Sequence, residues 1–186
     1  MAGTKNILNT VSILKYSWFF FIGLLFYSHS HYYTYAVDLS LPSWESVYNY
    51  WNVFTITQNN GKICYLVSSP IGSTGNYAGI RKPYIMVSLF GYNKVEVSIN
   101  AGFLYKLNSI VSVSIDGKQE RFIAETDTLA WVEKFGTDKE IVKNLISGNK
   151  LLVFYQSYDR TYAVDTYSLI GFSKAYNLAK QLCNRV

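Results

Sequence analysis

Ile110-Val-Ser-Val-Ser-Ile115-Asp116-Gly117-Lys118-Gln-Glu-Arg-Phe-Ile-Ala124 decides the fold class. Val111, Val113 and Ile115 alternate with serines, so the apolar side chains fall on one face and the hydroxyls on the other, the period of a half-buried strand. Asp116-Gly117 then supplies the two residues of a tight hairpin turn, whose central positions both need positive φ. An antiparallel pair covering a core with one face follows. Val95-Glu-Val-Ser-Ile99 repeats the alternation upstream. Working outward, β-rich runs separated by turn residues are predicted at 51–57, 62–68, 84–89, 94–99, 110–115, 118–124, 129–133, 151–157 and 162–167. Asn59-Asn60-Gly61 and Gly91-Tyr92-Asn93 punctuate two of the connections. Many short strands at this spacing predict a mainly β chain, an antiparallel β-sandwich-like domain.

Two segments break the pattern. Thr137-Asp-Lys-Glu140 has the form of a capping box, a hydroxyl at the N-cap and a carboxylate three residues on. Ile141, Val142, Leu145 and Ile146 follow at helical spacing, and Gly148 stands where a left-handed C-terminal cap belongs. A short internal helix near 138–147 is expected. From about 171 to 184, Leu169, Phe172, Ala175, Tyr176, Ala179, Leu182 and Cys183 form one stripe, with Lys174, Asn177, Lys180 and Gln181 outside it. This predicts a C-terminal amphipathic helix laid against the sheet.

Residues 1–36 contain Lys5 and Lys15, no acidic residue, and an apolar run from Tyr16 to Tyr27. That run is shorter than the ~20 residues a membrane-spanning helix needs. Thr34-Tyr35-Ala36 places small residues at −3 and −1 of a cleavage site, completing the pattern of a secretory leader. An uncleaved N-terminal anchor is the alternative. Export through a Sec-type route to the periplasm or the exterior is expected, with membrane contact only through the leader. One domain is expected over 37–186, its patterned part opening near Trp44.

Both histidines, His29 and His31, lie in the leader. A mature chain would have none, which excludes a Ser-His-Asp or Cys-His centre, imidazole zinc sites and a histidine pH switch. Of 17 Lys and Arg in the chain, two lie in the leader, so the mature balance against 12 acidic residues is +3. That is a poor basis for nucleic-acid binding. At 49% hydrophobic and 16% charged residues, the composition also excludes intrinsic disorder.

Cys64 sits in a predicted strand and Cys183 near the end of the last helix. Two cysteines in an exported chain make one disulfide the expectation, pinning that helix to the first strands. A redox-active thiol is the alternative, without CxxC to support it. Ser69-Pro-Ile-Gly-Ser-Thr-Gly-Asn-Tyr-Ala-Gly79 lacks the GK[ST] of a phosphate loop and reads as an exposed loop. Arg81 and Lys82 follow it as solvated loop cations, and with Tyr77 they form the candidate partner-binding surface. No catalytic residue, cofactor or metal is expected. Asp116, Glu125, Asp127, Asp159 and Asp165 are scattered, and a carboxylate hydrolase needs two of them across a cleft.

A family resemblance enters through the second half of the chain. Ala130-Trp131, Ile141-Val142, Leu145, Gly148, Leu151-Leu-Val153, Ser157, Arg160-Thr161, Asp165-Thr-Tyr-Ser-Leu-Ile-Gly-Phe-Ser-Lys-Ala175 and Cys183 resemble the invasion-associated locus B family of exported alphaproteobacterial proteins. Weaker agreement reaches forward through Gly102-Phe103, Pro83-Tyr84, Arg81, Pro70 and Cys64 to Trp51. Where the family often has Arg-Gly-Thr, this chain reads Asp159-Arg160-Thr161. The resemblance implies a single exported β domain associated with host-cell invasion, and carries no catalytic residues. Asp165 and Ser168 are expected to cap the last helix, with Gly171 allowing close approach to the sheet. Two readings of function follow. One is a non-enzymatic envelope or secreted protein that recognises a protein or glycan, a host surface included. The other is a periplasmic structural or envelope-stress protein with no dedicated ligand. A histidine-free carboxylate hydrolase stands third.

Overall fold

The computed structural model describes residues 40–58, 61–91, 94–134, 136–157 and 159–184. Residues 1–36, where a leader is expected, and the turn residues Asn59, Asn60, Tyr92 and Asn93 lie outside the described residues. Eleven strands form one antiparallel sheet: β1 (Ser43–Tyr48), β2 (Trp51–Gln58), β3 (Gly61–Ser68), β4 (Gly72–Gly75), β5 (Tyr84–Phe90), β6 (Lys94–Asn100), β7 (Ile110–Ile115), β8 (Lys118–Ala124), β9 (Ala130–Val132), β10 (Lys150–Gln156) and β11 (Tyr162–Ser168). Helix α1 (Asp138–Ser147) precedes β10, and α2 (Phe172–Cys183) follows β11. The spatial order is β1-β2-β3-β5-β6-β9-β8-β7-β10-β11-β4.

Strict alternation on these strands puts one face inward. Trp51 and Val53 on β2, Leu66 on β3, Val111 and Val113 on β7, and Leu151, Val153 and Tyr155 on β10 are all buried in a single core. Fully burying such side chains contributes roughly 1.5–3 kcal/mol each before chain entropy is counted. Trp51 Nε1 donates to the Ser168 carbonyl at 3.0 Å. That bond joins the second strand of the sheet order to the tenth, so the ladder bends back on itself. One continuous sheet thus encloses the core from two sides, the sandwich-like arrangement. Asp116 and Gly117 take φ of 45° and 95°, and β7 and β8 pair from Ile115 with Lys118 outward. The hairpin is as the dipeptide predicts.

Helix α1 covers the expected residues and buries Ile141, Val142 and Leu145. Its ends differ from the expectation. Thr137 makes no side-chain cap; its hydroxyl donates backwards to the Lys134 carbonyl at 2.7 Å, while the Glu140 carboxylate accepts from Lys118. Gly148 is extended, at φ −85° and ψ 167°, because the chain turns at once into β10. Helix α2 buries Phe172, Ala175, Ala179 and Cys183. Cys183 is bonded to Cys64, Cα to Cα 6.0 Å, so the helix is fastened to β3 as expected.

Two strands exceed the sequence reading. β1 pairs with β2 although its outward residues, Trp44 among them, are exposed. The stretch from Ser69 to Gly79, expected to be a loop throughout, contributes β4, which pairs Gly72–Gly75 with β11. The run expected at 129–133 contracts to Ala130–Val132.

Candidate functional site

The segment between β3 and β5 opens into a cleft of about 590 Å³. Ser73, Tyr77, Ile80, Arg81, Lys82 and Tyr84 line it. The three residues singled out from the sequence therefore lie on one concave surface. They do not play equal parts in it.

Arg81 is not solvated. Its side chain is 5% exposed, and its partner Asp165 is fully buried. The guanidinium grips the carboxylate with both ends of its fork, Nη2 to Oδ1 at 2.6 Å and Nη1 to Oδ2 at 3.2 Å. Nη1 also donates to the Ala101 carbonyl at 2.5 Å, and Ser73 donates to Asp165 Oδ1 at 2.5 Å. Nε finds no acceptor among the described residues. The Tyr77 ring lies 4.1 Å from the guanidinium carbon, with Phe103 at 5.4 Å and Tyr155 at 5.9 Å. Such a planar cation fits both a carboxylate fork and aromatic faces, which lysine would not do.

Burial alone would lower the Arg81 pKa, but the hydrogen bonds it donates to Asp165 and Tyr77, with their charges, reverse it and the net direction is upward. Behind the pair, Tyr105, Tyr155 and Tyr167 form a buried aromatic layer. Tyr155 and Tyr167 share a hydroxyl contact of 3.2 Å, and the Tyr105 hydroxyl donates to the Ile99 carbonyl. Burial first, then neighbouring charge that includes Asp165, pushes all three phenols up, so they stay neutral.

Asp165 does not cap α2 as expected. On β11 its side chain points inward, on the face shared by Ala163 and Tyr167, where a carboxylate needs a cation. The Ser168 hydroxyl accepts from the Ile170 amide, and α2 begins after Gly171 with no side-chain cap. Gly171 has φ 95°, and a Cβ there would run into the Tyr48 carbonyl of β1. The close approach expected of this glycine is confirmed. Lys82 is exposed, as expected of a loop cation, and Ile80 beside it is 96% exposed. The inward acid was legible in the alternation Ala163, Asp165, Tyr167; its partner, far off in sequence, was not.

Geometry of this kind, a mainly β domain folded on one sheet and tied by one disulfide, defines a structural class before it defines an activity. The sequence profile described as "Invasion associated locus B (IalB) protein" matches residues 51–180, and the chain belongs to that family. The crystal structure of invasion associated protein B from Bartonella henselae is similar in fold, with a TM-score of 0.51 at 16% identity over 77% of this chain and 98% of that one. No curated protein matches the sequence. The Cys64–Cys183 disulfide fits an oxidising periplasmic or extracellular compartment.

Proposed function

We propose that this is an exported, non-enzymatic envelope or secreted protein that recognises a protein or glycan partner, with a host-cell surface as the target in invasion. The observation that carries the reading is the cleft at residues 67–84. There Ile80 and Lys82 stand exposed beside the half-buried Tyr77 and Tyr84, over a floor fixed by the Arg81–Asp165 pair. Aromatic and apolar contact area on a rigid base is what recognition surfaces use. The non-enzymatic part rests on Asp165, the buried carboxylate, which is fully engaged by Arg81 and Ser73.

The test uses Ile80→Ala with Lys82→Ala, both exposed and outside the core. Capture of host-surface proteins or arrayed glycans by the double variant should fall to background while its thermal unfolding is unchanged. Unaltered capture would remove the cleft from the function. No saturable capture by the wild-type chain would favour a structural envelope role.

A further inference from the structure

A second concave surface lies where α1 and α2 meet the β5–β6 hairpin, and it shares no lining residue with the cleft above. Its apolar lining includes Leu89, Val95, Val142, Ile146 and Tyr176, and Lys94, Lys139, Lys143 and Lys180 stand around it. The four lysines are exposed, and among the described residues none is within salt-bridge distance of a carboxylate. Among the described residues, three of the nearby acids are already engaged, while Glu125 lines an adjoining cavity with Lys94 and Lys139 without a salt bridge to either. Glu140 pairs with Lys118, Asp138 accepts from the Val97 amide, and Glu96 accepts from Trp131 Nε1. Lys94 and Lys180 rest over the rings of Phe90 and Tyr176, at 5.1 and 6.0 Å. Tyr176 in turn stacks on Phe172 of the core at 5.9 Å, so the floor is anchored.

We infer that this groove docks an acidic peptide segment of a partner protein, one apolar side chain seated between α1 and α2 and its flanking carboxylates on the lysine rim. The volume is about 250 Å³, below the roughly 300–1,000 Å³ that houses a drug-sized ligand and suited to one or two side chains. A concave floor does not match a flat bilayer. The chain's own first 36 residues carry two lysines and no carboxylate, the wrong charge for this rim. An apolar anchor supplies affinity, and charge complementarity supplies steering and register.

The test measures fluorescence polarisation of the disulfide-bonded full chain with a labelled peptide of six glutamates around a central phenylalanine. Its control has serine in the centre. The phenylalanine peptide is expected to bind roughly tenfold tighter than the serine peptide, and more weakly as salt rises. Lys139→Glu with Lys143→Glu should weaken it at least about tenfold, with an unchanged melting curve because both positions are exposed. Ile80→Ala with Lys82→Ala should bind the peptide normally, which separates this groove from the proposed cleft. Absence of binding, equal binding of both peptides, or indifference to the double charge reversal would each overturn the inference. So would binding to phosphatidylglycerol vesicles that the reversal abolishes when the peptide does not bind.

Discussion

Two distant regions of this fold are fastened by two different kinds of tie. At the β3 side, a covalent bond joins Cys64 to Cys183 across 119 positions. At the β11 side, an ion pair joins Arg81 to Asp165 across 84. Both hold late segments of the chain against early ones, yet they stabilise by different routes. A disulfide acts largely by restricting the unfolded chain. A buried ion pair must first offset the loss of water around both charges, so its presence says less about net stability than its disruption does. The difference is therefore one of failure: losing the covalent tie frees the unfolded chain, whereas half of an ion pair is worse than none.

The largest expected effect comes from the covalent side. Cys64→Ala with Cys183→Ala should cost roughly 5 kcal/mol by the chain-entropy relation, read as a fall in the urea midpoint. A loss below about 1 kcal/mol would mean that the sheet is closed without it. Next, Asp165→Ala leaves the Arg81 cation buried without its carboxylate, and should cost about 3–5 kcal/mol. Arg81→Met with Asp165→Leu sharpens the contrast. It should regain most of that loss, because apolar side chains of similar volume replace a buried pair with little penalty. If the double variant is no more stable than Asp165→Ala, the pair contributes more than desolvation reasoning allows.

Gly171→Ala tests the seam between these regions, where α2 leaves β11 beside Tyr48. The left-handed φ and the collision with β1 together should cost about 2 kcal/mol, measured by thermal unfolding. The smallest effect belongs to the exposed bridge of Lys118 and Glu140, 2.9 Å long. Its hydrogen bond to Lys118 holds the Glu140 carboxyl below its usual range. Whatever it contributes is thus present near neutrality and fades as pH falls through the acid range. Lys118 also approaches Glu120 at 3.5 Å, yet Lys118→Ala should leave the melting midpoint at neutral pH unmoved, as exposed surface pairs do.

Legibility in the sequence followed the same physics. Runs such as Val111 to Ile115 declare themselves because one face is buried and the other wet, and the Asp116-Gly117 turn fixes their pairing. β1 was hidden because its side chains, Ser43-Trp-Glu-Ser-Val-Tyr48, are mostly exposed and show no buried face. β4 was hidden more completely: Gly72-Ser-Thr-Gly75 has almost no side-chain signal, and its place depends on backbone bonds to β11. Tyr77, Arg81 and Lys82 were found as neighbours, but the burial of Arg81 depends on a partner supplied by another strand. The lysine groove was invisible for the same reason, since its four cations come from a hairpin and two helices.

Asp165, Gly171 and Cys183 all fall between positions 165 and 183, at the end of the stretch that carries the family resemblance. Each reaches back to the earlier part of the chain: to Arg81, to Tyr48 and to Cys64. During synthesis, which proceeds at about 5–20 residues per second, the strands before this stretch emerge with an open core and an unmatched thiol. The stretch is therefore a clasp that arrives late. Until it does, the emerging chain is a set of hairpins awaiting closure, and the oxidant that joins Cys64 to Cys183 can act only after that last stretch has arrived.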